Sequence, residues 1–118
     1  MITQSIIRLR PNAKWKMIND SYDELVWLDE EQTKPTLKEI EDEIVKIKDL
    51  NRIQQIKSKA NELILARYSI IWQLNHPRVE IQYKSDYDFI DNIRRISNEA
   101  EANNIALEDI NWEVTNGN

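Results

Sequence analysis

The spacing of apolar positions changes along this chain, and each change falls at one of its prolines, Pro11, Pro35 and Pro77. Before Pro11, Ile2, Ile6 and Leu9 have helical spacing, with Thr3 placed to cap a turn or two. A strand built on Ile7 and Leu9 is the alternative. From Lys14 the period drops to two. Trp15 and Met17 point one way and Lys14, Lys16 and Ile18 the other, as on a half-buried strand. The segment N-D-S-Y-D then turns the chain, because Asn and Asp tolerate left-handed conformations. On the returning strand Leu25 and Trp27 alternate with Val26 and Leu28. Trp15, Met17, Leu25 and Trp27 therefore form one hydrophobic face. An isolated hairpin is only marginally stable in water, so that face requires a helix packed on it.

The helix is signposted by the stretch W-L-D-E-E-Q-T-K-P-T-L-K-E-I-E-D-E-I, residues 27–44. Pro35 keeps Lys34 out of the helical region, and Thr36 and Glu39 have the spacing of a capping box, so the helix starts at Thr36. From there to about Asn75 no glycine or proline intervenes. Unbroken, such a helix would extend about 60 Å, beyond the roughly 35 Å expected of a compact domain of this size. Leu37, Ile40, Ile44 and Ile47 make one stripe. Leu50, Ile53 and Ile56 lead into a second through Ala60, Leu63, Ile64, Tyr68 and Ile71, roughly 150° round from the first. Either one continuous or kinked helix serves different partners at its two ends, or it breaks near Lys48-Asp49-Leu50-Asn51 and folds back. The continuous helix is the expectation, since no residue there is a strong breaker. The run L-I-L-A-R-Y-S-I-I-W is apolar on most sides, as for burial all round or an oligomer contact, and Pro77 ends the helix after Asn75 and His76.

After Pro77, Val79, Ile81 and Tyr83 alternate with Glu80 and Gln82, as in a short edge strand or extended arm. Ser85 with Asp88 reads as a further cap, opening a helix in which Phe89, Ile93, Ile96 and Ala100 share a face and which Asn103 and Asn104 end. Leu107, Ile110, Trp112 and Val114 are left for a small contact, and T-N-G-N is expected to fray. The fold class is α+β, predominantly α. A short N-terminal helix and β-hairpin pack on a long amphipathic helix, followed by a short strand or arm and a C-terminal helix. Residues 1–48 form a helix/hairpin anchor and residues 49–118 a helical partner-binding half, within a single structural domain.

Bulk properties narrow the function. At 118 residues the chain is one domain's worth. The formal net charge of -5 argues against nonspecific grip on nucleic acid and mildly favours a basic partner. No cysteine is present, so neither disulfides nor thiolate chemistry is available, which fits a reducing cytoplasm. The single glycine, Gly117, excludes glycine-rich phosphate loops and leaves positive-φ turns to Asn and Asp. No apolar run approaches the roughly 20 residues of a membrane span, and Met1–Arg10 lacks the apolar core of a secretory signal. A soluble protein made in the cytoplasm is expected.

Candidate chemistry is sparse, and neither a catalytic, a cofactor-binding nor a metal site is expected. His76, the only histidine, has no cysteine or second histidine to complete a zinc set and reads as a helix-end or surface residue. Asp86, Asp88 and Asp91 lack the glycine of a calcium loop and suit a helix's first turn. The pairs Glu41 with Glu43 and Glu99 with Glu101 read as solvated helix faces rather than acid and base. Arg94 and Arg95 with Lys57, Lys59 and Arg67 would make a basic strip for RNA or DNA, which the acidic balance outweighs. The tryptophans are more informative, because large rigid aromatics suit interfaces. Trp15 and Trp27 are assigned to the core, whereas for Trp72, Tyr83 and Trp112 partner contact and core packing stand about even.

The order I-I-R-L-R-P-N-A-K-W, then Y-D-E-L-V-W-L-D, then K-P-T-L-K-E-I-E-D-E-I resembles the start of small phage-encoded tail proteins, including tail fibre assembly chaperones and tail accessory proteins. It covers about residues 1–45 and carries over Pro11, Trp15, Trp27, Leu28, Asp29, Pro35 and Thr36 as scaffold positions. The resemblance implies a non-enzymatic protein that helps assemble, or stays attached to, a tail fibre or other tail component. It would work in the host cytoplasm during assembly and could be retained in the virion tail. The partner would be held through Ile64, Tyr68, Ile71, Trp72, Tyr83 and Trp112, with a homo-oligomer through the long helix as a further possibility, and with neither nucleic acid nor membrane as a partner. A permanent tail or baseplate adaptor and a small acidic regulator of a host protein are the alternatives.

Overall fold

The computed structural model describes residues 1–114; the T-N-G-N tail expected to fray lies outside them. The chain is predominantly helical with one β-hairpin. In order it comprises α1 (Ile2–Leu9), β1 (Trp15–Met17), β2 (Leu25–Trp27), α2 (Leu37–Arg67), α3 (Ile70–Asn75) and α4 (Lys84–Ala102). Short 3₁₀ turns occupy Tyr22–Glu24, Ile81–Tyr83 and Leu107–Asp109. The residues fall into two compact units, Met1–Leu50 and a second that begins at Asn51; α2 contributes to both.

In the first unit β1 and β2 pair antiparallel, with Trp15 opposite Trp27 and Met17 opposite Leu25. This places the four expected side chains on one face. Leu25 is buried with Ile6 of α1 and Ile40 of α2, and Trp15, Met17, Trp27, Ile2, Leu9 and Ile44 close around them. The turn relies on Asn19 and Asp20 at positive φ, a conformation that suits Asn and Asp among non-glycine residues. Thr3 does not cap α1. The N-cap is Met1, without a side-chain cap bond, and the carboxylate of Asp20 instead accepts from the Thr3 N–H at 3.3 Å and from the terminal ammonium at 3.2 Å. The turn thus returns an anion to the positive end of the helix, which the local sequence alone does not disclose.

The junction into α2 forms as the cap spacing requires. The Thr36 N–H donates to Glu39 Oε1 at 3.2 Å, and the Glu39 N–H donates to Thr36 Oγ1 at 3.1 Å. Pro35 is fully buried, its carbonyl accepting from the Tyr22 hydroxyl. Asp29 holds the preceding loop by accepting from the backbone N–H groups of Lys14, Glu31 and Gln32 at 2.8–2.9 Å. Trp27 Nε1 donates to the Gln32 carbonyl, and Gln32 Nε2 donates to that of exposed Pro11. Leu28 contributes through its backbone N–H, which donates to the Lys14 carbonyl, while its side chain is exposed. Arg8 of α1 pairs with buried Glu43 of α2 at 2.7 Å, and Arg10, just past the end of α1, pairs with Glu39 at 3.0 Å.

Three expectations about the later chain are corrected. α2 is continuous through Lys48–Asn51, but it stops at Arg67 rather than running to Asn75. Ser69 adopts an extended backbone and its Oγ accepts from the Trp72 N–H at 3.0 Å, opening α3 as a separate helix. A serine hydroxyl that caps the next turn competes with continuation of the helix. Residues 79–83 form no strand: the Glu80 N–H donates to the Pro77 carbonyl and the Tyr83 N–H to the Glu80 carbonyl, so this backbone bonds locally in tight turns. Finally, α4 begins at Lys84 with Tyr83 as a cap that makes no side-chain bond, and Asp88 pairs with Lys84 instead of capping with Ser85. Its buried positions are Tyr87, Ile90, Ile93, Ser97 and Ala100, so Phe89 and Ile96 flank the buried face rather than define it.

The core of the second unit joins Ala60, Ile64 and Tyr68 with Tyr87, Ile90 and Ile93, and Leu63, Trp72, Phe89, Trp112 and Val114 pack around it. As expected, α4 ends at the asparagine pair. Asn104 takes positive φ and the Ile105 N–H donates to the Ala100 carbonyl at 3.0 Å, the pattern glycine usually supplies at a helix C-terminus. The Arg52 guanidinium donates to the carbonyls of Ile105 at 2.8 Å and Ala100 at 3.3 Å, neutralising the acceptors that this end exposes.

Candidate interaction surface

The side chains proposed to meet a partner separate into buried and exposed groups around α3. Ile64 and Tyr68 are buried in the core of the second unit, so neither offers its side chain to a partner. Trp72, Tyr83 and Trp112 are half-buried against the same core. Ile71 alone among the six is largely exposed. Sequence reasoning placed Ile64 and Tyr68 on a surface because an unbroken helix would carry them along the stripe that Ile71 continues. The break at Ser69 separates them.

An aromatic buttress supports α3. Trp72 is its centre: the ring lies 4.6 Å from that of Tyr68 and 5.8 Å from that of Tyr87, meets Tyr83 edge-on at 6.1 Å, and stacks on His76 at 4.4 Å. Phe89 adds a contact to Tyr68, and the Arg67 guanidinium lies 4.4 Å over the Phe89 ring. His76 closes α3 as its sequence position suggested, with Nδ1 2.7 Å from the Trp72 carbonyl.

Polar contacts hold the same segment. Gln73 Nε2 donates to the Tyr68 carbonyl freed by the helix break, and the Tyr87 hydroxyl is shared between the carbonyls of His76 at 2.6 Å and Gln73 at 3.2 Å. The Tyr68 hydroxyl donates to Asp86 at 2.7 Å, and burial followed by this bond raises the Tyr68 pKa. Arg78 forks onto Asp91 at 2.7 and 3.0 Å, which raises the arginine's pKa and lowers the aspartate's. The three aspartates once compared with a calcium loop are therefore spent on Tyr68, Lys84 and Arg78. Among the described residues no group of three or more His, Cys, Asp or Glu could hold a metal ion.

Outward, the same segment exposes several apolar side chains among its polar ones. Ile70, Ile71 and Leu74 of α3 are exposed, with Ile71 at 71% and Leu74 at 76%. Along the connector Val79 is 92% exposed and Ile81 87%. Single exposed aliphatics are ordinary, but five within twelve consecutive residues form the kind of apolar concentration that marks interaction sites. Covering one such side chain is worth about 1.5–3 kcal/mol. Val79 and Ile81 share a shallow groove with Tyr87, with Glu80 and with the ion pairs Arg78–Asp91 and Lys84–Asp88, which form its polar rim. Sequence reading missed Ile70, Leu74, Val79 and Ile81 because it assigned them to a helix and a strand. The available signal was Ser69, a residue suited to capping, four positions before the end of the apolar run's polar flank at Gln73.

No helix is long and apolar enough to cross a membrane among the described residues. No family model matches the chain, and no curated protein and no solved structure matches it either.

Proposed function

We propose that this chain is a non-enzymatic protein-binding protein, a phage tail fibre assembly chaperone or fibre-associated protein that covers apolar surface on a tail fibre component. The observation that carries the protein-binding part is the exposed set Ile70, Ile71, Leu74, Val79 and Ile81 on an internally braced segment. A surface of that kind gains by covering an equally apolar surface, and a fibre subunit waiting to trimerise exposes one. The phage part rests on the resemblance carried by residues 1–45, whose matched positions lie in the hairpin and the Thr36 cap. In this reading those positions are scaffold, and the working face is the segment 70–81.

Co-expression tests it. The fibre encoded beside this gene should give more soluble trimer with the wild-type protein, and the gain should vanish with Ile71→Asp combined with Ile81→Asp while circular dichroism stays unchanged. Equal trimer yield with and without the small protein removes the chaperone reading.

A further inference from the structure

A second feature of the unit beginning at Asn51 lies apart from this apolar surface. A cleft of about 260 Å3 runs between α2 and α4, with Ala60 and Ile64 among its lining, and Lys57, Asn61, Arg94, Ser97 and Asn98 supply its polar groups. Positions 57, 60, 61 and 64 share one face of α2, and 94, 97 and 98 share one face of α4. Lys57 and Arg94 belonged to the basic strip considered for nucleic acid, and the fold brings these two, but neither Lys59 nor Arg67, into this cleft.

Its donors are largely uncommitted. Ser97 is only 5% exposed and lines the cleft. Asn61 and Asn98 are exposed, and their carboxamides make no hydrogen bond within the chain among the described residues. Lys57 is occupied, 2.7 Å from Glu101. Arg94 forms no ion pair among the described residues and acts on Asp91 only through its field, because Asp91 is held by Arg78. The Lys57 and Glu101 charges offset each other, which leaves the Arg94 guanidinium as the uncompensated charge of the cleft.

We propose that this cleft binds a small oxyanion, a carboxylate or phosphoryl group, clamped by Arg94 and bonded by Ser97, Asn61 and Asn98. A guanidinium presents two parallel N–H groups that match both oxyanions, and a hydroxyl and two carboxamides supply further donors without adding charge. The volume lies below the range of sites for drug-sized ligands, so it suits an ion or one side chain rather than a nucleotide. The net charge of -5 repels anions in general, so occupancy depends on the local donors.

The test is an NMR titration of the full chain at constant ionic strength with N-acetylglutamate amide and, separately, inorganic phosphate, chloride serving as control. The side-chain amides of Asn61 and Asn98 and the Arg94 Nε–H should shift saturably with at least one probe. Saturation by the glutamate derivative identifies a carboxylate, and by phosphate alone a phosphoryl group. Arg94→Gln should weaken binding at least tenfold, Ser97→Ala should weaken it less, and Asn98→Leu, which fills the cleft, should abolish it. Shifts no larger than those with chloride, or equal affinity in Arg94→Gln, would overturn the proposal.

Discussion

Ser69 Oγ accepts the backbone N–H of Trp72 at 3.0 Å, and this contact turns what reads as one long helix into two. It also separates the buried Tyr68 from the exposed Ile71. Replacing Ser69 with Ala should destabilise the second unit by about 1 kcal/mol, the usual worth of an N-cap. Urea denaturation followed by amide resonances of the second unit checks it; wild-type stability in the variant would show that the cap does not hold the break.

Trp72 sits between the buttress and the surface, and the two roles predict different mutants. Trp72→Ala removes ring contacts to Tyr68, His76, Tyr83 and Tyr87, and should cost about 2–3 kcal/mol of stability, somewhat under the loss for a fully buried aromatic. Leu74→Ser, at an exposed site, should change stability by about 0.5 kcal/mol or less. Thermal unfolding of the two variants gives the comparison, and a larger loss for Leu74→Ser would reverse the assignment.

Acid should weaken the first unit. The N–H groups of Gln32, Lys14 and Glu31 hold the Asp29 carboxyl below its ordinary pKa, the Thr36 N–H and then Arg10 do so for Glu39, and the terminal ammonium does so for Asp20. Each folded pKa is depressed, so the unfolded chain takes up protons first as pH falls. The stabilisation is complete above about pH 5 and is lost progressively below about pH 4, through the depressed folded values. Hydrogen exchange of β1 and β2 amides across this range should show the loss, and Asp29→Asn should lower protection at neutral pH and flatten the acid response.

Arg52 closes the far end of α4 by donating to the Ala100 and Ile105 carbonyls. Arg52→Met keeps much of the aliphatic stem and removes those donors, so the unit should lose about 1.5–3 kcal/mol, the range for hydrogen bonds involving a charged group. Calorimetry measures the loss, and increased exchange confined to residues near Asn103 and Asn104 would locate it.

Local chemistry alone determined the hairpin, the junction into α2 and several punctuation points. Trp15, Met17, Leu25 and Trp27 alternate strictly, Thr36 and Glu39 stand at cap spacing, and Asn104 takes the turn that a chain almost without glycine must assign to asparagine. These features depend on neighbours a few residues apart or on a period, so they are legible in order. Tertiary structure decided the rest. Asp20 reaches the start of α1 from the hairpin turn, Arg52 reaches the end of α4 across dozens of residues, and Val79 and Ile81 turn outward because their backbone bonds locally instead of joining a sheet. The exposed segment 70–81 and the cleft of Arg94 and Ser97 both belong to this second kind. Apolar spacing says that a side chain has a face, but only the packed neighbours say whether that face is filled.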